Sequence, residues 1–103
     1  MSKYHAQRTE VDGIKFASKK EAKRYVQLKA FERAGLIKNL RLQVPYQIIA
    51  KSKYGRAIKY IADFVYIEDE QTVVEDVKGY RTDVYKLKKR LMAEVYGVEV
   101  KEI

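Results

Sequence analysis

Two aspartates and a lysine are the residues of this chain best placed to do chemistry. Asp63 lies in the apolar stretch 60–66, and Asp76 and Lys78 belong to a second apolar stretch, 73–78. Side chains alternate between the two faces of a strand, so Asp76 and Lys78 point the same way if their stretch is a strand. If the two stretches pair as a hairpin, two carboxylates and an ammonium group share one partly buried spot.

Carboxylates held this close together repel one another unless a proton or a cation neutralises them. A divalent metal ion is a common solution, and a metal beside a lysine suits the hydrolysis of phosphodiester bonds. A simpler interpretation remains open, in which Asp63 and Asp76 face solvent on a half-exposed sheet and Lys78 is their ion-pair partner. Carboxylate clusters of this kind favour a functional site, although structural ion pairs produce similar patterns.

The first third of the chain predicts a hairpin and a helix. The dipeptide Asp12-Gly13 within residues 8–16 is typical of a tight hairpin turn. Ser18 and Glu21 have the spacing of a capping box and predict the start of a helix that ends near Ala34. Glu21 therefore has two candidate roles, as the cap residue and as a third acid for the predicted site.

The remaining patterns predict the sheet. They indicate strands over 40–50, 57–67 and 72–77, a helix that Thr82 caps and that ends near Tyr96, and a short last strand within 98–103. Pro45 restricts the first of these strands to an edge position or a bulge. The third and last strands are joined through a helix, so they should pair in parallel. The apolar stripe of this helix is predicted at Val84, Leu87, Leu91 and Val95.

Composition indicates one folded α/β domain over residues 1–103, of the α+β kind with a mixed sheet and a flexible start at residues 1–7. The chain has no cysteine and a single histidine, His5, which excludes thiolate metal sites and the common Ser-His and Cys-His nucleophile pairs. No apolar run reaches the roughly 20 residues needed to span a bilayer, and no signal peptide is visible. A cytoplasmic location is the resulting expectation.

The net charge of +8 is distributed unevenly along the chain. Residues 1–60 carry 15 Lys or Arg against 4 Asp or Glu, whereas residues 61–103 carry 7 against 10. An asymmetric basic chain points to a polyanion, most simply a nucleic acid. The alternative is a solvated basic surface that keeps the protein soluble.

The predicted core order, α-β-β-β-α-β, resembles the PD-(D/E)XK nuclease superfamily. That superfamily has its first acid on the second core strand and an acid-x-lysine on the third, and these places hold Asp63 and the run Asp76-Val77-Lys78. Some branches add a glutamate from the first helix, where this chain has Glu21. The chain as a whole resembles small phage-encoded endonucleases and archaeal-type Holliday-junction resolvases. Ala62 stands where the superfamily name expects a proline.

The resemblance implies a Mg²⁺- or Mn²⁺-dependent endodeoxyribonuclease that acts on branched DNA in a bacterial host cell. It implies Glu21, Asp63, Asp76 and Lys78 as catalytic residues. The metal would be held by Asp63, Asp76 and the backbone carbonyl of Val77, with Glu21 as a further ligand. Resolvase-type relatives are homodimers, so a homodimer is expected.

Contacts with DNA are expected from the basic segment, the second helix and one glutamine. These residues are Lys19, Lys20, Arg41, Gln43, Lys53, Arg56, Arg81, Lys86, Lys88 and Lys89. Cations on phosphates give affinity without sequence preference. The alternative function is a non-catalytic nucleic-acid-binding module that retains the nuclease fold.

Overall fold

The computed structural model of the protein describes residues 7–103. Within this range the elements are β1 (Thr9–Val11), β2 (Ile14–Phe16), α1 (Lys19–Arg33), β3 (Lys38–Ile49), β4 (Ile58–Glu68), β5 (Gln71–Asp76), α2 (Asp83–Tyr96) and β6 (Lys101–Glu102). They form an N-terminal hairpin and a mixed four-stranded sheet with two helices. The predicted fold class and element order are confirmed. Most of the predicted flexible start, residues 1–6, lies outside the described residues.

Local signals at the start of the described chain determine how the hairpin leads into α1. Asp12 and Gly13 have positive φ angles of 53° and 76°, as a tight turn of the hairpin type requires. Ser18 caps α1 by accepting a hydrogen bond from the Glu21 N–H at 3.1 Å. The hydroxyl of Tyr25 donates to Asp12 at 3.0 Å, so the hairpin is tied to the helix that follows it.

The four-stranded sheet has the order β3-β4-β5-β6. The pairs β3–β4 and β4–β5 are antiparallel, and β5 pairs with β6 in parallel, as predicted for strands joined through a helix. Pro45 is accommodated because β3 is an edge strand. Asp69 and Glu70 make the tight turn between β4 and β5, with φ angles of 51° and 63°.

The apolar core consists of two clusters, each built around one helix. The α1 cluster contains Phe16, Ala22, Tyr25, Leu28, Ile37, Phe64 and Tyr66. The α2 cluster contains Ile48, Tyr60, Ala62, Val65, Val74, Tyr85, Met92 and Val100. The sheet contributes to both clusters, so its strands are fixed from two sides.

The facing of β3 and β4 changes at the position where Gln43 lies opposite Asp63. Every second residue of β4 from Tyr60 to Tyr66 is buried, but not in the same cluster. Tyr60 and Ala62 belong to the α2 cluster, whereas Phe64 and Tyr66 belong to the α1 cluster. A regular strand would turn all four to one face. Gln43 has a positive φ of 52°, and the register on either side of it is unchanged. The two strands therefore twist together at this point, which is also where β5 ceases to pair with β4.

Beyond this point β3 and β4 continue as a two-stranded outer ribbon, residues 44–49 and 58–62. Contacts from α2 hold the ribbon: the Tyr96 hydroxyl donates to the Gln47 carbonyl at 2.5 Å, and the rings of Tyr46 and Tyr96 meet edge to face. The predicted strand patterns did not indicate that the sheet narrows to two strands here.

Three of the four residues predicted for the apolar stripe of α2 are wrong, and only the fourth, Leu91, packs against the α2 cluster. Val84, Leu87 and Val95 are exposed by 61%, 57% and 52%, whereas Tyr85 and Met92 are buried. Polar contacts set the rotation of the helix, because the Tyr85 hydroxyl donates to Glu102 at 2.8 Å and the Lys78 ammonium lies over the Tyr85 ring. In the part of the chain that the structure describes, no helix is long and apolar enough to cross a membrane.

Candidate active site

Asp63 and Asp76 lie side by side where β4 and β5 part. The last pair between these strands is Phe64 with Glu75. Beyond that pair, a side-chain contact replaces the backbone pairing, because Asp63 Oδ2 accepts a hydrogen bond from the Val77 N–H at 2.8 Å. Asp76 is 2% exposed and close enough to raise the pKa of Asp63. The end of β5 is thus held by a side chain that is itself part of the predicted site.

Lys78 and Tyr60 contact opposite oxygens of Asp76. The Tyr60 hydroxyl donates to Asp76 Oδ2 at 2.5 Å, and Lys78 Nζ lies 3.0 Å from Oδ1. The lysine contact does not have hydrogen-bond geometry, so Oδ1 is a buried oxygen without a hydrogen-bond donor among the described residues. The Lys78 ammonium also sits 4.2 Å above the Tyr85 ring, which restrains its position.

Glu21 joins the aspartates through Gln43. Gln43 Nε2 donates to Glu21 Oε1 and to Asp63 Oδ1, both at 3.2 Å. Glu21 is 8% exposed, and a surface cleft of about 430 Å³ opens onto it beside Gln43 and Asp63. The capping box is only half formed: Ser18 caps the helix, but within residues 7–103 no hydrogen bond returns from Ser18 N–H to the Glu21 carboxylate. The Glu21 side chain is therefore available to act together with Asp63 and Asp76, and we call these three acids the carboxylate cluster.

Two of the three acids have strongly raised pKa values. Burial, and then the charges of Asp63 and Asp76, raise the pKa of Glu21 to about 7. Burial is also the main reason that the pKa of Asp63 rises to about 6, with a further increase from Asp76 and an opposing effect of the Val77 N–H. Raised carboxylate pKa values beside a further acid are typical of a site that takes up a cation or a proton.

The donor set suits a hard divalent cation, because it consists of carboxylate oxygens and one of them, Asp76 Oδ1, is buried without a donor. Within the described residues, however, no group of three or more His, Cys, Asp or Glu side chains is arranged to hold a metal ion. Mg²⁺ commonly binds through one or two carboxylates and keeps several waters, so Asp63 and Asp76 fit that lower requirement. The ligand role predicted for the Val77 carbonyl stays a prediction.

Glu75, the neighbouring acid on β5, lies on the opposite face of the strand. Arg24 Nε and Nη2 donate to its two oxygens at 2.9 and 2.7 Å, and the Tyr66 hydroxyl donates as well. Glu75 is fully buried and neutralised in this way. The prediction that Asp76 and Lys78 point the same way is confirmed, because their side chains form an ion pair at 3.0 Å.

The predicted DNA contacts fall into separate groups. Lys20, Arg81, Lys86 and Lys89 line surface clefts next to Lys78. Gln43 bonds to the carboxylates of Glu21 and Asp63. The described lining of these clefts does not include the exposed Lys19 and Arg41 or the partly buried Lys88. Lys53 and Arg56 lie in the loop beyond the outer ribbon. They are far from the carboxylates, because the five-residue step along β4 from Ile58 to Asp63 alone spans about 17 Å. Their role as DNA contacts stays a prediction.

Sequence reasoning missed Tyr60, Tyr85 and Arg24. Tyr60 precedes Asp63 by three residues, which a regular strand would turn to opposite faces. Only the coordinated twist at Gln43 and Asp63 brings the Tyr60 hydroxyl to Asp76, and no local sequence signal indicates that twist. Arg24 had a weak signal, since it follows Glu21 by three residues and so shares its side of α1.

One protein family matches the chain over residues 1–102 and is described as a protein of unknown function (DUF1064). Because the match covers almost the whole sequence, the chain belongs to this family. Comparison with curated proteins and with solved structures gave no match. Family membership thus supplies no activity, and the function has to be argued from the geometry of the site.

Proposed function

We propose that this member of the DUF1064 family is a metal-dependent DNA endonuclease that hydrolyses phosphodiester bonds. The observation that carries the proposal is the convergence of Glu21, Asp63, Asp76 and Lys78, from α1, β4 and β5, at the point where β4 and β5 part. The order of elements and the strands that carry the acids agree with the PD-(D/E)XK pattern. The basic character of the chain supports a polyanionic substrate.

Each residue has a role that its surroundings support. Asp63 and Asp76 would hold one or two Mg²⁺ or Mn²⁺ ions, with Glu21 and the Val77 carbonyl as further ligands. A bound ion of this kind supplies a Lewis acid for the scissile phosphate and a water of lowered pKa. Lys78, restrained between Asp76 and Tyr85, neutralises the negative charge that develops on the phosphorane.

Gln43 and Tyr60 position the acids. Gln43 sets the separation of Glu21 and Asp63 because its amide bonds to both. Tyr60 fixes the orientation of Asp76 through Oδ2 and so directs Oδ1 toward Lys78. Burial and the bond to Asp76 raise the pKa of Tyr60, which keeps its hydroxyl a donor at neutral pH.

The finer assignment rests on the resemblance alone. It comprises a phage-encoded enzyme in a bacterial cytoplasm, a branched substrate such as a four-way junction, and a homodimer that cuts two strands symmetrically. Light scattering of the purified protein tests the dimer, and a monomer at micromolar concentration would reject it.

A cleavage assay tests the activity. The purified protein is incubated with a labelled four-way junction, linear duplex, single strand and flap, each with Mg²⁺, Mn²⁺ or EDTA. We expect metal-dependent cutting that Asp76→Asn abolishes and that Lys78→Ala lowers by at least about 10²-fold. Asp69→Asn is the matched control, because it makes the same change in an exposed turn. Full activity of the Asp76 variant would reject the assignment.

A non-catalytic nucleic-acid-binding module is the second candidate. The observation in its favour is that the described residues contain no group of three or more potential ligands already arranged around a metal position. This candidate predicts metal-independent binding with a steep salt dependence and no cutting of any of the four substrates.

A further inference from the structure

A cationic cleft leads away from Lys78 between α2 and β6. It consists of two adjoining depressions of about 620 and 650 Å³, which share Arg81, Lys86 and Glu102. The cations that line it are Lys20, Lys78, Arg81, Lys86, Lys89 and Arg90. The carboxylates among its described lining residues are Glu99 and Glu102. We call this feature the α2–β6 cleft.

Glu102 lies at the centre of the cleft, where one hydroxyl donates to it and two cations form ion pairs with it. The Tyr85 hydroxyl donates to Oε2 at 2.8 Å, Arg81 Nη2 lies 2.8 Å from Oε1, and Lys89 Nζ lies 3.5 Å from the same oxygen. The Tyr85 hydroxyl and the two cations hold the pKa of Glu102 below its usual range, so the group is ionised. A hydroxyl, a guanidinium and an ammonium that converge on one anion form a donor set that equally suits a phosphate.

Of the other cations of the cleft, Lys78 is paired with Asp76, and the rest have no acidic partner among the described residues. Within residues 7–103, Lys86 and Arg90 have no ion-pair partner. Lys20 Nζ donates to the Lys78 carbonyl at 3.0 Å, which places its charge beside the carboxylate cluster without pairing it to an acid. A row of charges therefore continues from Lys78 through the shared wall of Arg81 and Lys86 to Lys89 and Arg90.

We propose that the α2–β6 cleft is a phosphate track for a nucleic-acid backbone, in which Glu102 occupies the central phosphate position of the free protein. The link from the track to bond cleavage at Lys78 rests on the proposed function, whereas binding along the track does not. A backbone phosphate must displace Glu102 to reach Arg81 and Lys89. Glu102 thus weakens the binding of any polyanion that lacks enough contacts to compensate for this displacement.

Two variants that each remove one negative charge from the cleft test the proposal. Glu102→Gln frees Arg81 and Lys89 and keeps an oxygen that accepts from Tyr85, whereas Glu99→Gln removes the same charge without releasing a cation of the cleft. Binding of a labelled DNA duplex is measured in EDTA across a salt series. We expect Glu102→Gln to bind more tightly and to steepen the dependence of log K on log salt by up to about two, and Glu99→Gln to leave the slope unchanged.

Lys86→Ala is the complementary variant, because it removes a cation from the cleft. Loss of the Lys86 ammonium should lower the salt slope by about one. Equal effects of the two glutamate variants, or an unchanged slope for Lys86→Ala, would overturn the track. Thermal unfolding of each variant shows that the fold is intact, and if Glu102→Gln is unfolded, Lys86→Ala alone decides, because Lys86 is exposed.

Competition by inorganic phosphate at constant ionic strength distinguishes a backbone track from a site for a free anion. A track leaves duplex binding unchanged at millimolar phosphate, whereas strong competition would overturn it. The outcome is separable from that of the cleavage assay. If the salt slopes are as expected but the protein never cuts DNA, the proposed nuclease activity is rejected and the phosphate track stands. If the protein cuts DNA and the variants leave the salt slopes unaltered, the track is rejected and the nuclease activity stands.

Discussion

At the scale of single residues, two neighbouring acids of β5 have opposite surroundings. Glu75 is neutralised by the two-pronged contact with Arg24 and by Tyr66. Asp76 is almost as deeply buried, yet its Oδ1 has only an ion pair with Lys78 that lacks hydrogen-bond geometry, and two further acids lie near it. The Glu75 carboxylate has its own cation and hydroxyl donor, whereas Asp76 and its two acidic neighbours together have more negative charge than Lys78 alone neutralises. One peptide step therefore separates an acid neutralised within the fold from the acid that we propose binds a metal ion.

The carboxylate cluster should make the protein more stable when a divalent ion is present. We expect Mn²⁺ at ten to a hundred times its dissociation constant to raise the free energy of unfolding by about 1–3 kcal/mol, because the ion binds only the folded cluster. Thermal unfolding at pH 8 with and without EDTA measures this effect. Asp63→Asn and Asp76→Asn should lose it and Asp69→Asn should keep it. An equal increase in all three variants would show that the ion binds elsewhere.

Removal of Arg24 should be among the costliest substitutions in the protein. Arg24→Ala leaves the Glu75 carboxylate buried without its cation, and breaking a buried pair from one side typically costs about 3–5 kcal/mol. Urea unfolding measures the loss. The double variant Arg24→Ala/Glu75→Gln should recover part of it, because the stranded charge is gone. Arg33→Ala, at an exposed position of the same helix, should change stability by about 0.5 kcal/mol at most.

At the scale of elements, α2 has a rotation that its own sequence does not indicate. Val84, Leu87 and Val95 of its predicted apolar stripe are exposed, whereas Met92 and Tyr85 face the core and Leu91 packs at its margin. Met92→Ala should therefore cost about 2–5 kcal/mol, because it opens a cavity at a fully buried position. Leu87→Ala should change stability by about 0.5 kcal/mol at most. Chemical unfolding of the two variants decides, and a larger loss for Leu87 than for Met92 would show that the helix is rotated as its sequence pattern predicts.

The parts of the fold that sequence predicted correctly are those with local causes. Asp12-Gly13 fixes a turn, Ser18 and Thr82 cap their helices, and Gly97 ends α2 with a φ of 66°. The carboxylates of the site were also predictable, because strand alternation separates Asp76 from Glu75. What sequence did not predict depends on contacts between distant residues. The twist at Gln43, the Tyr60 contact with Asp76 and the rotation of α2 all arise only after the sheet has assembled.

The connection from α1 to β3 should make stability depend on pH. Glu32 accepts from the Leu40 N–H at 3.0 Å and pairs with Lys29, and these contacts hold its pKa below the usual 4.5. The stabilisation is present above the unfolded-state pKa and is lost as the pH falls through the lower folded-state value. Glu32→Gln should thus be less stable than the parent at about pH 7, and the difference should shrink as the pH is lowered toward about 3. A difference that stays constant across this range would contradict the ionic contact.

At the scale of the whole molecule, the protein is flat and extended. Its principal extents are 45 × 43 × 21 Å and its radius of gyration is 14.9 Å, against about 13 Å for a compact domain of this length. The outer ribbon and its loop account for part of this shape, since they extend beyond the pairing with β5. Chain segments with few neighbours open at lower free energy than a packed core. The carboxylate cluster lies at the boundary between the packed core and the outer ribbon, because Asp63 is the first β4 residue beyond the Phe64–Glu75 pair.

Hydrogen exchange should reveal this boundary directly. Amides of the central strands, such as Val65 and Val74, are expected to exchange only through global unfolding, and those at the end of the ribbon, such as Ile49, much earlier through local opening. Tyr96→Phe removes the hydroxyl that holds the Gln47 carbonyl, so it should speed exchange in the ribbon and leave β5 unchanged. Tyr54→Phe, at an 88% exposed loop position, is the matched control. Uniform protection along β4 would show that the ribbon and the core open as one unit, and that the site does not lie at a boundary of stability.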